Sequence, residues 1–263
     1  MLTSSNQSTL IPLDQIERPA VTDAQRKAFD DFPTPAWAVT RFFEAWQPRG
    51  STWLEPAAGR GSLLRAAMDA GFCREAIAVE LQKTHVDHFD LELRERGVDV
   101  RWGDCLCFND LGPVDLVIGN PPFRWAEEII KLSLTRFGPS AEVAMYLRLS
   151  FFSSAKRRDW LEATKPDVYV LPDRVPHEAG GNTDMVGAGW FVWSDESAGR
   201  WSILGTTPSE ERARDHLALW GAQGLYRDRD PAPCVACADT RVWLQDADGT
   251  DVACPVCSED SEG

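Results

Sequence analysis

The chain has 263 residues, of which 43% are hydrophobic and 26% are charged. This composition is typical of a folded globular protein and excludes a disordered or collagen-like chain. The formal net charge of −14 argues against a general nucleic-acid coat protein, because such proteins bind through a basic face. The N-terminus is polar, and no run of about 18 apolar residues occurs. We therefore expect a cytoplasmic protein with no membrane partner.

Strands and helices alternate along the chain. We predict strands at 51–54, 76–79, 98–102, 114–119 and 143–149, and two late strands at 168–171 and 189–193. We predict helices at 36–46, where apolar residues recur at helical spacing, and at 62–69, 82–96, 125–137, 153–165 and 209–220. This alternation predicts an α/β, Rossmann-like fold with a mostly parallel, seven-stranded sheet.

The predicted organisation has four parts. An N-terminal arm over residues 1–22 precedes the main α/β domain over 23–205, which is followed by a helix and linker over 206–230. A cysteine-containing unit over 231–258 comes last. Residues 222–233 are rich in Arg, Asp and Pro, which is typical of a linker.

Glycines and an acid stand where the first two predicted strands end. Gly59 and Gly61 follow the first strand and allow the backbone to turn tightly and approach a ligand. Glu80 ends the second strand, and a carboxylate at that position can accept both hydroxyls of a ribose. The alternative for Glu80 is a solvated strand end. Because open α/β sheets bind ligands at the carboxyl ends of their strands, this pattern predicts a ligand site.

Glu55 and Asp104 place two further acids at strand ends. Asp104 follows the third strand, where an acid can accept a hydrogen bond from the exocyclic amine of an adenine. Three acids at successive strand ends suit a nucleoside that carries an amino-acid tail. Residue 64 is Leu where the G-x-G-x-x-G pattern has its third glycine, which counts against NAD.

The fourth predicted strand ends in Asn120-Pro121-Pro122-Phe123. The two prolines fix the backbone and release the preceding carbonyls from ladder pairing. The Asn120 side-chain oxygen and the Pro121 carbonyl can then accept both hydrogens of one NH2 group. Phe123 offers a ring on which a planar base can stack. We predict that these four residues are catalytic, with a plain strand-closing turn as the alternative.

This combination resembles the adenine-specific N6 DNA methyltransferases, which use S-adenosylmethionine. The family's Asn-Pro-Pro-Phe tetrapeptide matches residues 120–123, and its acidic-Pro-x-Ala-Gly-x-Gly loop matches 55–61. Its early Phe-x-Thr-Pro segment matches 32–35, ahead of both, as in the family's amino-terminal-catalytic arrangement. The resemblance covers residues 29–205 and implies a Rossmann-like methyltransferase fold that methylates adenine N6 in DNA.

The resemblance also implies the cofactor and the path of the reaction. The residues expected to bind S-adenosylmethionine are Phe32, Thr34, Pro35, Glu55, Ala57, Gly59, Gly61, Glu80, Asp104, Cys105 and Asn120. The target base has to leave the duplex to reach this pocket. Hydrogen bonds to Asn120 and Pro121 would aim the N6 lone pair at the sulfonium methyl, so no covalent enzyme intermediate is needed.

Several interpretations of substrate recognition stay open. The chain has no large recognition domain, so the candidates are the loop over 172–186, the stretch 194–230 and the cysteine-containing unit. Arg148 and the run 156–158 form a basic cluster that could contact phosphates, or be a solvated helix face.

The alternative substrates to DNA adenine are an RNA exocyclic amine and a protein glutamine. A different class is a catalytically inactive methyltransferase-fold module that recruits a partner.

Four cysteines near the C-terminus form two Cys-x2-Cys pairs, separated by sixteen residues. The cysteines are Cys234, Cys237, Cys254 and Cys257. In a reducing compartment this spacing is typical of a tetrahedral structural zinc site. Such a short unit cannot bury enough core to fold alone, so Zn²⁺ would supply its folding energy. We therefore predict a small C-terminal zinc ribbon, with four reduced structural cysteines as the alternative.

Overall fold

The computed structural model describes residues 33–87, 89, 91–108, 111–175, 187–222, 242–245 and 251–253. The predicted N-terminal arm, Phe32, most of the 172–186 loop and the four C-terminal cysteines lie outside the described residues. Within the described ranges, no helix is long and apolar enough to cross a membrane.

The described helices are α1 (Ala36–Ala45), α2 (Ser62–Asp69), α3 (Lys83–Asp87), α4 (Leu91–Glu95), α5 (Ala126–Phe137), α6 (Arg158–Thr164) and α7 (Ser209–Ala222). The strands are β1 (Thr52–Glu55), β2 (Glu75–Glu80), β3 (Val98–Trp102), β4 (Leu116–Gly119), β5 (Glu142–Arg148), β6 (Asp167–Val170), β7 (Ala188–Trp193), β8 (Trp201–Ile203), β9 (Val242–Gln245) and β10 (Asp251–Ala253). Short 3-10 turns occur at Gly138–Ser140, Leu149–Phe152 and Ala155–Arg157.

The first eight strands form one sheet in the order β3-β2-β1-β4-β5-β7-β6-β8. The strands β1 to β5 pair in parallel. Strand β7 is antiparallel to both β5 and β6, and β8 is parallel to β6. Seven of these eight strands thus point the same way, which confirms the predicted Rossmann-like α/β fold with a mostly parallel sheet. We call the edge where these strands end the carboxyl edge.

The predicted number of seven strands is wrong, because the sheet has an eighth. Trp201–Ile203 pairs with β6 in the register Val168↔Trp201 and Val170↔Ile203. A three-residue strand is too short for alternation of apolar and polar residues to reveal it. The backbone groups on the outer side of β6 need hydrogen-bond partners, and residues 201–203 supply them by pairing as a strand.

The predicted single helix over 82–96 consists of two short helices, α3 and α4. Phe89 lies between them, and its side chain is 2% exposed. A Cβ atom placed on Gly61 would come within 2.7 Å of the Phe89 ring, so this ring packs on the loop after β1. This contact joins residues far apart in the sequence, so the apolar spacing over 82–96 does not reveal it. The predicted helix over 153–165 likewise starts as a 3-10 turn, and α6 begins at Arg158.

Helices cover both faces of the sheet and bury two apolar clusters. One cluster joins α1 and α2 to the sheet through residues such as Trp37, Phe42 and Leu64. The other joins α5 and α6 to the opposite face through Ile130 and Leu161. Because both faces are covered, the parallel strands are buried and their carboxyl ends form one ligand-accessible edge.

The C-terminal helix α7 is bound to the start of α1. Asp215 Oδ2 accepts a hydrogen bond from the Trp37 backbone N–H at 2.7 Å, 178 positions away in the chain. Arg41 of α1 also pairs with Glu211 of α7 at 3.1 Å. Pro35 at the N-cap of α1 makes no side-chain capping bond, so Asp215 satisfies a helix-end N–H that would otherwise lack a partner.

Candidate active site

The loop after β1 depends on two left-handed glycines. Gly59 has φ 55° and Gly61 has φ 86°, a region that glycine adopts without steric cost. The Gly61 N–H donates to the Ala58 carbonyl at 2.8 Å, and α2 begins at the next residue. The glycines thus let β1 turn directly into α2 at the carboxyl edge, as the sequence predicts.

Glu80 anchors this loop from the neighbouring strand. Its Oε2 accepts a hydrogen bond from the Gly59 N–H at 2.8 Å, and its Oε1 accepts one from the Gln82 N–H at 2.7 Å. The side chain is 5% exposed, so the alternative of a solvated strand end is wrong. Each carboxylate oxygen has two lone pairs, so Glu80 keeps acceptor capacity for a ligand hydroxyl.

Glu55 ends β1 in a buried position with unused acceptor capacity. The residue is 2% exposed, and its Oε2 has no hydrogen-bond partner among the described residues. Burial and then the nearby Glu80 carboxylate raise the pKa of Glu55 well above its usual value. A buried acceptor without a donor is costly, and strongly perturbed acids concentrate at functional sites. The arrangement fits a cationic ligand group beside Glu55.

The end of β4 lies beside Glu55. A Cβ atom on Gly119 would lie 3.9 Å from Glu55 Cγ and 3.4 Å from Pro56 Cδ. The β4–β5 register ends at Gly119↔Met145, so Asn120 lies past the last ladder pair, as predicted. The tetrapeptide 120–123 therefore begins next to the candidate cofactor acids.

The tetrapeptide forms a turn that leads into α5. The Trp125 N–H donates to the Pro122 carbonyl at 2.8 Å, and α5 starts at the following residue. Pro121 is buried, whereas Asn120 and Phe123 are half-buried. The turn thus sets the catalytic candidates at the surface of the carboxyl edge with a fixed backbone.

Phe123 is stacked against Arg148, a contact that the sequence analysis missed. The Arg148 guanidinium lies 4.1 Å from the centroid of the Phe123 ring, within the range of a cation–π interaction. Arg148 is the last residue of β5, the neighbour of β4 in the sheet. The sequence analysis placed Arg148 in a basic cluster. Its contact with Phe123 arises because β4 and β5 are neighbours in the sheet.

Thr34 contacts the start of α2, and Pro35 precedes α1. The Thr34 N–H donates to Ser62 Oγ at 3.1 Å, and Thr34 is 2% exposed. Pro35 is buried at the N-cap of α1. The structure therefore brings Thr34 of the early segment to the end of the glycine loop. Ser62 was missed, because a serine that begins a helix carries no signal for a distant partner.

Asp104 and Cys105 follow β3 in a tight turn. Asp104 Oδ1 accepts a hydrogen bond from the Leu106 N–H at 3.0 Å, and both residues are half-buried. Burial, followed by the nearby Asp104 and Glu80 carboxylates, raises the pKa of Cys105 to about 12. Cys105 is therefore a neutral thiol and a poor nucleophile. Ala57, the remaining candidate, is half-buried in the glycine loop.

The zinc prediction falls largely outside the described residues. Within the described ranges, no group of three or more His, Cys, Asp or Glu side chains could hold a metal ion. Cys234, Cys237, Cys254 and Cys257 are not among those residues. Strands β9 and β10, which lie between the two cysteine pairs in the sequence, form a two-stranded antiparallel unit.

No protein-family model and no curated protein matches the chain. Among solved structures, it is similar to a 23S rRNA methyltransferase, ErmE, with 13% identity over 76% of this chain and 81% of that chain, at a TM-score of 0.49. It is similar to a dimethyladenosine transferase from Plasmodium falciparum, with 13% identity over 80% and 71% of the chains, at 0.46. A glycopeptide N-methyltransferase complexed with S-adenosylmethionine is 16% identical over 67% and 100%, at 0.42. Such low identity leaves the cofactor and substrate to be argued from the site residues.

Proposed function

We propose that this protein transfers a methyl group from S-adenosylmethionine to the exocyclic N6 of adenine in DNA. The observation that carries the proposal is the position of residues 120–123 at the end of β4, next to the buried carboxylate of Glu55. When bound, S-adenosylmethionine supplies a methyl group on a positively charged sulfur. Glu55, Glu80 and Asp104 would hold the rest of that molecule.

The order of the three acids matches the order of groups in the cofactor. Glu55, Glu80 and Asp104 follow β1, β2 and β3, which are consecutive neighbours in the sheet. Glu55 suits the ammonium group of an amino-acid tail, because its Oε2 lacks a donor among the described residues. Glu80 has lone pairs left for ribose hydroxyls, and Asp104 can accept from an adenine amine. Tail, ribose and base would thus lie across adjacent strands.

The tetrapeptide supplies the groups that the methyl acceptor needs. Adenine N6 is a poor nucleophile, because its lone pair is delocalised into the ring. The Asn120 side-chain oxygen and the Pro121 carbonyl accept its two hydrogens and favour a pyramidal nitrogen. Phe123 stacks on the base and replaces the stacking lost when the nucleotide leaves the duplex. Catalysis is then positioning and electrostatics, and no protein nucleophile takes part.

The test is incubation with S-adenosylmethionine that carries a labelled methyl group, in parallel with DNA, RNA and protein. Mass spectrometry of nucleosides and peptides should find labelled N6-methyladenine from DNA. Asn120→Ala should lower the rate by at least ~10²-fold, typical of losing a positioned hydrogen-bonding group, while S-adenosylhomocysteine still binds. Label in RNA alone or in glutamine would contradict the proposal. Cofactor binding without label in any substrate would indicate an inactive binding module.

We further propose one structural Zn²⁺ held by the four C-terminal cysteines. Four thiolates at this spacing complete a tetrahedral coordination shell and leave no position for water. The metal would therefore take no part in methyl transfer. A cytoplasmic location would keep these thiols reduced and available as ligands.

A further inference from the structure

The carboxyl edge is divided by charge. Its acidic half follows β1, β2 and β3 and contains Glu55, Glu80 and Asp104. The strands β4, β5 and β6 are instead followed or ended by arginines, namely Arg124, Arg148 and Arg174. These strands point the same way, because β4 and β5 are parallel and β5 and β6 are both antiparallel to β7. The arginines, with Lys156 after β5, therefore belong to one half of the edge, which we call the basic half.

Three of the acids that follow the same strands are held in ion pairs. Glu127 pairs with Lys131 at 2.6 Å and Arg157 at 3.6 Å, Asp159 pairs with Arg158 at 3.1 Å, and Asp173 pairs with Arg212 at 2.6 Å. These pairs engage two members of the basic cluster that the sequence suggested for phosphate contact, Arg157 and Arg158. Glu127, Asp159 and Asp173 thus have cationic partners of their own, whereas Glu128 and Glu162 form no ion pair with a residue that the structure describes.

Three other bases of this half face solvent. Arg124, Lys156 and Arg174 are exposed, and none forms an ion pair with a residue that the structure describes. Arg124 directly follows Phe123, and Arg148 lies on the Phe123 ring at 4.1 Å. The basic half therefore starts at the ring proposed to stack on the target base.

We infer that Arg124, Lys156 and Arg174 bind the phosphodiester backbone of a nucleic acid on both sides of the target nucleotide. The inference rests on the proposed function, since a nucleotide whose base reaches Asn120 brings its flanking phosphates to the edge beside Phe123. The chain carries a net charge of −14 and repels a polyanion elsewhere. A local positive surface next to the pocket is what allows such a substrate to bind.

The test compares two triple variants of the full chain. Arg124→Gln, Lys156→Gln and Arg174→Gln are combined in one. The matched control combines Arg74→Gln, Lys165→Gln and Arg214→Gln, which remove the same charges from exposed residues that form no ion pair with described residues. Arg74 and Lys165 lie before β2 and β6, at the opposite edge of the sheet. Fluorescence anisotropy then gives the affinity of each variant for labelled duplex DNA, single-stranded DNA and RNA across a salt series.

We expect the first triple variant to lose at least about tenfold in DNA affinity, and its log K against log[salt] slope to flatten by roughly 2 to 3, as three lost phosphate contacts require. The control should bind DNA within about twofold of the wild type, because two of its three charges, Arg74 and Lys165, lie at the opposite edge of the sheet. S-adenosylhomocysteine affinity, measured by calorimetry, should be unchanged in both.

Three results would overturn the inference. One is equal loss of affinity in both triple variants, another is a wild type that binds none of the three nucleic acids at low salt, and the third is unchanged affinity in the first triple variant. If the first triple variant loses RNA affinity while DNA does not bind to the wild type, the basic half is supported and the proposed DNA substrate is wrong. Labelled N6-methyladenine in DNA with unchanged affinity in the first triple variant supports the proposed function and rejects the basic half.

Discussion

Neighbouring acids at the carboxyl edge acquire different properties from their surroundings. Glu80 receives two backbone N–H groups, which fix the position of its carboxylate. Glu55 is about as buried, yet its Oε2 receives no hydrogen bond from the described residues. A glutamate thus holds the glycine loop at the end of β2, whereas a glutamate at the end of β1 has an oxygen that no described residue contacts by a hydrogen bond.

The raised pKa of Glu55 predicts a pH-dependent stability. Because the folded state binds the Glu55 proton more tightly than the unfolded state, stability is fully present below the unfolded pKa and declines as pH rises through the raised folded pKa. Each tenfold difference in proton affinity corresponds to about 1.4 kcal/mol. Urea unfolding of wild type and Glu55→Gln from acidic to neutral pH measures this effect.

The difference between the two proteins isolates Glu55 from other titrating groups. Glu55→Gln should be more stable than the wild type at neutral pH, and the gap should shrink as the pH falls. A constant gap across the series would show that Glu55 has an ordinary pKa. Asp215, whose pKa burial also raises, titrates in both proteins and cancels.

Elements at the site are positioned by contacts between segments far apart in the sequence. The glycine loop packs against Phe89, and Ser62 at the start of α2 holds Thr34. Asp215 of α7 holds the start of α1 at Trp37. A substitution in one of these elements should therefore alter the candidate cofactor site through the elements that it contacts.

Gly61→Ala should destabilise the protein more than Gly71→Ala. Both glycines have positive φ, 86° and 78°, so each substitution carries a backbone cost of roughly 1 kcal/mol. A Cβ on Gly61 would also lie 2.7 Å from the Phe89 ring, whereas nothing lies within 4 Å of one on Gly71. The clash should add about 1–3 kcal/mol in urea unfolding. Equal losses would show that the loop tolerates the methyl group.

Asp215→Ala should weaken the start of α1. The substitution removes the acceptor of the Trp37 N–H, an effect of about 1 kcal/mol for a helix-capping side chain. Asp215→Asn keeps a side-chain oxygen and serves as the matched control with a smaller loss. Because Thr34 and Pro35 precede α1, S-adenosylhomocysteine affinity measured by calorimetry should fall in Asp215→Ala. Unchanged stability in both variants would show that α7 does not cap α1.

At the scale of the whole molecule, the charge distribution separates two surfaces of one sheet edge. The acidic half suits a cationic cofactor and the basic half suits a polyanion, although the chain as a whole is strongly acidic. From residue 231 onward the chain has seven acids and one arginine, Arg241. This distribution argues against close phosphate contact by the cysteine-containing unit and favours the carboxyl edge for substrate binding.

Removal of the proposed zinc ribbon should leave the main domain folded. A chain truncated after residue 228 keeps α7 and both apolar clusters, so it should unfold cooperatively and bind S-adenosylhomocysteine. Metal analysis should find one zinc in the full chain purified under reducing conditions and none in the truncated chain. If the full chain contains no zinc, the proposed metal site is wrong. Methylome sequencing of both forms then shows whether the ribbon contributes to target choice.

The sequence by itself determined the alternation of strands and helices, the glycine loop and the residues at the strand ends. These features are local: apolar spacing indicates the elements, Gly59 and Gly61 permit a left-handed turn, and Pro121 restricts its own backbone. The predicted Rossmann-like sheet follows from them, because alternating strands and helices pack in few ways. The four catalytic candidates were visible as one continuous segment.

Contacts between distant parts of the chain were decided by the tertiary structure alone. The eighth strand forms by pairing with the outer side of β6. Phe89, which lies between α3 and α4, packs against Gly61. Arg148 meets Phe123 because β4 and β5 are neighbours in the sheet, which a linear pattern does not reveal. The raised pKa of Glu55 depends on its burial. Which bases are paired and which face solvent depends on distances between side chains. Burial and these distances exist only once the chain has folded.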